Sequence, residues 1–236
     1  MSANSKTKTL VKSILKSSKT KVLACGALSI GGASMAASPS FAASVDLSSW
    51  NQLGDATTNS SNANLTNAFN DGSDDGGTNY NITGISPEFI SVLESGLGLN
   101  PGDLGADATE GSAISKLFTG VQAGDVFSFD WVFNTYDNVF SDRAFVRIGN
   151  FIQTLAAGTS GSSNFSYTFA SAGDYDISIG VVDVDDFTVS STLDISNVQF
   201  TPADEAVPEP LTILGTGAAA AIGAVMRRRL GKKAEA

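Results

Sequence analysis

Residues 43–206 predict an all-β fold, an antiparallel β-sandwich with jelly-roll-like connectivity and one short helix. Three observations predict it. Apolar side chains alternate one-in, one-out through Phe127, Phe129, Trp131 and Phe133, and again through Phe165, Tyr167 and Phe169; that period of two lines one face of a strand. Six or more such runs follow one another at short spacing, punctuated by turn residues such as Ala123-Gly124-Asp125 and Ala172-Gly173-Asp174. No helical pattern alternates with them, so a parallel βαβ sheet is excluded. An immunoglobulin-like sandwich is the alternative topology, but its Cys–Trp–Cys pattern is missing.

The elements read as follows. Val45, Leu47 and Trp50 suggest one early strand, and Leu65 with Phe69 a second apolar anchor, with loops around them. Ser86-Pro87-Glu88-Phe89 predicts the start of a helix: a capping serine, a proline for the first turn, a glutamate suited to the dipole. Phe89, Ile90, Leu93 and Leu97 continue at helical spacing until Gly96 and Gly98 end it. Ala113-Ile114 with Leu117-Phe118 make a strand, residues 126–133 the aromatic one, and Ala144–Ile148 with Phe151-Ile152 a hairpin. Thr159–Asn164 reads as a Ser/Gly-rich loop. Tyr175–Val184 and Leu193, Ile195, Val198, Phe200 close the set.

Charge divides the 236 residues into three zones. Residues 1–42 hold six lysines and no acid; residues 43–206 hold three basic residues against 22 acids; residues 207–236 are basic again. The acidic centre has nothing to neutralise phosphates, which excludes a nucleic-acid partner. There is no histidine, and the one cysteine is Cys25. Ser–His and Cys–His nucleophile pairs, zinc sites of His or Cys, and disulfides are therefore excluded from 43–206. The chain predicts no enzyme, and no catalytic residue is assigned.

The two ends read as membrane signals. Lys21 is followed by an apolar stretch of small residues, 22–37, and by Ser40-Phe41-Ala42. That is a signal peptide over 1–42, with signal peptidase cutting after Ala42. At the other end, residues 211–226 are uncharged. As a helix they reach roughly 24 Å, against about 30 Å of hydrocarbon, and Val207 and snorkelling arginines extend the reach. Arg227, Arg228, Arg229, Lys232 and Lys233 form a basic stop-transfer cluster that keeps the C-terminus inside.

Oxygen ligands and exposed rings are the remaining candidates. The run Asp71-Gly72-Ser73-Asp74-Asp75-Gly76-Gly77 places acids at alternate positions before glycine, as calcium loops do, without the closing glutamate. Asp183 and Asp185, two apart at a strand end, could share one cation. Asp71, Asp75, Asp183 and Asp185 are thus the candidate metal ligands, calcium the candidate ion, and an acidic rim guarding a sheet edge the competing reading. Trp50 and Tyr136, in polar surroundings, are the candidate stacking contacts for a sugar ring.

Val207-Pro208-Glu209-Pro210, the apolar helix 211–226 and the basic cluster together resemble a PEP-CTERM sorting signal spanning 207–233. The resemblance implies that an exosortase recognises the motif, cuts near it, and passes the exported portion from the inner membrane to the cell surface or extracellular matrix. Such proteins belong to Gram-negative bacteria that secrete exopolysaccharide, and Glu209-Pro210-Leu211-Thr212-Ile213-Leu214-Gly215 is similar to cyanobacterial versions. Residues 110–114, Ala123-Gly124-Asp125, Phe129-Asp130-Trp131 and 180–184 also resemble the domain found ahead of such tails, which implies a fold and no activity. The expected function is a non-catalytic surface or matrix protein whose sandwich binds polysaccharide or serves as a spacer. A carbohydrate-active enzyme built on an Asp/Glu pair is the third possibility.

Overall fold

A computed structural model describes residues 41–71 and 79–203. The expected signal peptide apart from its last residues, Asp75, the sorting motif Val207–Pro210, the membrane helix and the basic cluster lie outside the described residues. Among the described residues no helix is long and apolar enough to cross a membrane.

The strands are β1 (Ala43–Ser44), β2 (Asn51–Leu53), β3 (Asp55–Thr58), β4 (Asn62–Thr66), β5 (Glu88–Phe89), β6 (Ala108–Val121), β7 (Val126–Thr135), β8 (Arg143–Ile148), β9 (Phe151–Ala157), β10 (Gly161–Thr168), β11 (Gly173–Val184) and β12 (Ser191–Thr201); the one α-helix is α1 (Ile90–Gly96). They form two antiparallel six-stranded sheets. Sheet A runs β10-β7-β12-β4-β3, with β1 on β12; sheet B runs β2-β6-β11-β8-β9, with β5 on β6. Chain neighbours from β6 to β12 mostly change sheet, and the long pairs are β6 with β11 and β7 with β12. This is the expected antiparallel sandwich.

The alternation in β7 packs as its period requires. Phe127, Phe129 and Phe133 have no exposure and Trp131 is 8 % exposed. They meet Leu193 and Ile195 of β12 and Leu65 of β4 on their own sheet, and Ile114, Val146, Ile177, Ile179 and Val181 across the interlayer space. Strand β11 is buried on both faces from Ile177 to Val184. Its second face, with Val182, lies under Leu93, Leu97 and Leu104 from α1 and the segment after it. That second layer explains why the run 177–184 is almost wholly apolar instead of alternating. Gly180 sits where a Cβ would come 2.7 Å from the Phe145 ring and 2.6 Å from the Ser112 carbonyl, so the close approach of β11 to its neighbours needs glycine.

Four expectations change. Trp50 is 4 % exposed and packs edge-on to Phe118 and stacked on Phe127; its ring has far more area to bury than its polar neighbours suggest, and it belongs to the core, not to the surface. Glu88 and Phe89 form β5 against Gly111 and Glu110, so α1 begins only at Ile90; the strand pairing overrides the helix-start signal. The expected loop at 159–164 gives its second half to β10, whose Gly161–Asn164 pair with Phe133–Asp130 of β7. The polar region 43–82 supplies the hairpin β3–β4. In both places cross-strand hydrogen bonds to a well-packed neighbour decide the structure, not side-chain propensity.

Two neighbours on β7 test this packing. Phe129→Ala should cost about 3–5 kcal/mol in urea unfolding. Val132→Thr, on the solvent side of the same strand and 41 % exposed, should stay within about 0.5 kcal/mol.

Candidate functional site

Three places in the domain carry chemistry. The first is an open groove of about 540 Å³ on sheet B. Its floor is a transverse row set by register: Ser115 of β6 opposite Ser178 of β11, and Ser178 opposite Arg147 of β8. The C-terminal end of α1, Ser95–Gly98, forms one wall, and Ser49, Asn51 and Lys116 line it as well. Arg147 fixes that wall. Its Nε donates to the Gly149 carbonyl at 2.8 Å and its Nη1 to the Leu97 carbonyl at 2.7 Å. A planar guanidinium between two carbonyls ties the helix end to the sheet. Lys116 Nζ donates to Ser49 Oγ at 2.8 Å. The Ser178 hydroxyl is buried in the floor with no hydrogen-bond partner. Hydroxyls, an amide and opposite charges (Lys116 and Arg147 with Asp176) converge here with few apolar neighbours.

The second is a ring pair. Tyr136, 42 % exposed, stacks on Tyr80 with centroids 4.3 Å apart and planes 15° from parallel. Tyr136 is therefore the exposed aromatic that the sequence suggested. Tyr80 sits on the loop 79–85, and Asp55 holds that loop. The buried Asp55 carboxylate accepts from Thr66 Oγ1 at 2.5 Å, Ile82 N and Thr83 N at 2.8 Å each, and Thr83 Oγ1 at 2.7 Å.

The third is a cluster of buried carboxyls. Asp142, at the entrance to β8, accepts from Ser191 Oγ at 2.7 Å, from Asn67 Nδ2 at 3.0 Å and from Val184 N at 3.2 Å. The same Asn67 amide reaches Asp183 Oδ2 at 3.3 Å, and its Oδ1 accepts from Ser191 N at 2.5 Å. Asp183 follows Ile177, Ile179 and Val181 on the inward face of β11, beside Glu110 of β6, where the pairing shifts register between Val182 and Val184. Burial pushes the Glu110 carboxyl up to about 7 and the Asp142 carboxyl up to about 6. Burial, with the charges of Asp142 and Glu110, pushes Asp183 up to about 10. Outside this cluster, Asp107 behaves conventionally: its bond to Arg143 holds it below the usual carboxylate range.

The candidate metal ligands fall differently from the sequence expectation. Asp183 and Asp185 do not share a face. The strand ends at Val184, Asp185 takes a left-handed backbone (φ 68°) and is exposed, while Asp183 is buried. Period-two reasoning fails once the strand ends. Asp71 sits exposed in a turn, and Asp75 is outside the described residues. Among the described residues no three carboxylates converge closely enough to cage a metal ion. Asp130, on β7 of sheet A, accepts amide hydrogens from Asn164 and Asn197 at 2.9 and 3.1 Å, and lies on the other sheet from Asp183. Glu110, Asp142 and Asn67 were not legible as partners of Asp183; the available signal was a single acid inside an otherwise small and apolar strand sequence.

No protein-family model matches the chain, and no curated protein does. Solved structures similar to it include the N-terminal cellulose-binding domain of the Cellulomonas fimi β-1,4-glucanase C (10 % identity, 70 % of this chain and 94 % of that one, TM-score 0.31). Others are the carbohydrate-binding and catalytic modules of a Clostridium thermocellum xylanase, solved with xylohexaose (16 %, 72 % and 28 %, TM-score 0.30), and a family 61 carbohydrate-binding module solved with β-1,4-galactotriose (10 %, 40 % and 64 %, TM-score 0.30). The chain thus spans under two thirds of these last two structures. At such identities and scores the functional reading below rests on the residues of this chain alone.

Asp55→Ala removes the acceptor for two loop N–H groups and two hydroxyls. It should destabilise the domain by about 3 kcal/mol or more, and hydrogen exchange at Ile82 and Thr83 should accelerate well beyond the change in global stability.

Proposed function

We propose that this is an exported surface or extracellular-matrix protein whose β-sandwich binds polysaccharide without catalysis. The groove on sheet B carries the reading. A sugar presents hydroxyls that both donate and accept, and the groove answers with serine hydroxyls, the Asn51 amide, Lys116, Arg147 and Asp176 on a preformed floor. Lys116 already donates to Ser49 in the groove, so the polar groups there are held in place before a ligand arrives. Tyr136 on Tyr80 offers one free ring face as a second contact. Glu110 and Asp183, the acids with the most perturbed ionisation, are 0 % and 2 % exposed, so a glycosidic oxygen has no access to them as they stand.

Delivery follows from the two ends of the sequence. Signal peptidase and an exosortase are the proposed processing enzymes, the first acting after Ala42 and the second at Val207-Pro208-Glu209-Pro210. Prolines at two of its four positions disfavour helix, and an extended segment is the shape a protease cleft accepts.

Two measurements test this. In affinity electrophoresis through exopolysaccharide from the producing cells, the wild-type domain should be retarded, and Asn51→Ala/Lys116→Ala should weaken retention at least roughly tenfold, or 1.4 kcal/mol. Equal mobility with and without polysaccharide would leave the spacer reading in its place. The intact mass of the protein recovered from its own cells should run from Ala43 to the region of Pro208–Pro210. A mass that continues to Ala236 in the membrane fraction would remove the exosortase from the account.

A further inference from the structure

Buried carboxylates in this domain normally meet backbone N–H groups. Asp55 takes those of Ile82 and Thr83, Glu94 those of Gly102 and Leu104, Asp125 those of Gln122 and Ala203, and Asp137 those of Val139 and Phe140. Glu110 and Asp183 break the pattern. Both oxygens of Glu110 and Oδ1 of Asp183 are buried without a donor, as is Oδ2 of Asp137, while Oδ2 of Asp183 accepts from the Asn67 amide. The Thr109 hydroxyl beside Glu110 gives its proton to the Asp186 carbonyl at 2.7 Å. The two carboxyls have each other as neighbours, with Asp142 and Asp186 adding further negative charge around them. No cation of the described residues compensates: Arg143 is paired with Asp107, Arg147 with two carbonyls, Lys116 with Ser49. Two facing carboxylates with orphaned oxygens persist only with something positive between them, a proton or a metal ion.

We propose that Glu110 and Asp183 bind one calcium ion between β6 and β11. Two carboxylates neutralise the charge of one divalent ion, which fits a pair better than a three-carboxylate cage. Asp142, by contrast, already has Ser191, Asn67 and Val184 as donors and acts as the positioning residue, linked to Asp183 through the Asn67 amide. The unpaired ligand atoms are all carboxylate oxygens, hard donors that select calcium or magnesium. A bulged strand end imposes no regular octahedron, which suits the flexible coordination of calcium better than the strict geometry of magnesium. Asn67 follows β4 of sheet A, while Glu110, Asp142 and Asp183 belong to sheet B or its entrance. The ion therefore closes one end of the sandwich, and the site stands independently of the polysaccharide groove.

The test uses the full chain in mild detergent, stripped with EGTA, carrying Asp71→Asn/Asp74→Asn/Asp75→Asn so that the acidic loop contributes nothing. Equilibrium dialysis against calcium should leave about one ion per chain, and calcium at roughly a hundredfold its Kd should raise Tm by about 5–10 °C, with magnesium doing much less. Glu110→Gln and Asp183→Asn should each abolish both responses. In the chain with Glu110 and Asp183 intact, calcium should slow amide exchange in segments 108–112 and 181–186, a readout that holds even if the variants fail to fold. No retained calcium, calcium that survives both substitutions, or protection elsewhere would overturn the proposal.

Discussion

The whole domain depends on β11 being buried from both sides. Its inner face, Ile177, Ile179 and Val181, meets the phenylalanines of β7; its outer face lies under α1 and the segment that follows it. With no disulfide available between 43 and 206, this three-layer contact is the main source of cohesion. It also sets the functional geometry. Ser178 and Arg147 floor the groove because β11 pairs with β8 there, and α1 walls it because Val182 and Phe145 need a cover.

Acidic residues do two different jobs in this chain. Most buried ones are fasteners: a carboxylate of this kind collects two backbone N–H groups and replaces a stretch of regular structure in a loop that has none. Asp55, Glu94, Asp125 and Asp137 each close a different loop in that way. A strongly acidic composition is thus partly a structural resource and not only a solvated surface. Glu110 has no donor on either oxygen and Asp183 none on Oδ1, which sets this pair apart.

What could be read from the sequence was whatever local period encodes. The aromatic run of β7, the β8–β9 hairpin and the three-residue step from Ile195 to Val198, now seen as a bulge with Asn197 at φ 50°, all have short-range signatures. Trp50 was misread because its neighbours in sequence are polar while its neighbours in space are Phe118 and Phe127. The start of β10 and the hairpin β3–β4 are strands through their partners, and no partner is visible in a one-dimensional string. The carboxyl cluster is the extreme case. Residues 110, 142 and 183 come together only through the pairing of β6, β8 and β11, and Asn67 joins them from the other sheet; no spacing rule reaches that far.

The three basic residues of the described chain, Lys116, Arg143 and Arg147, all belong to sheet B; sheet A has none and meets solvent with aspartates bridged by asparagines, as at Asp130 and Asp194. The domain is therefore electrically two-sided. Facing any anionic surface, sheet A has no cation to offer, and only sheet B presents any. With screening over about 8 Å at physiological salt, this bias does not draw the protein in from a distance. It acts at contact, deciding which way round the sandwich lies once it arrives.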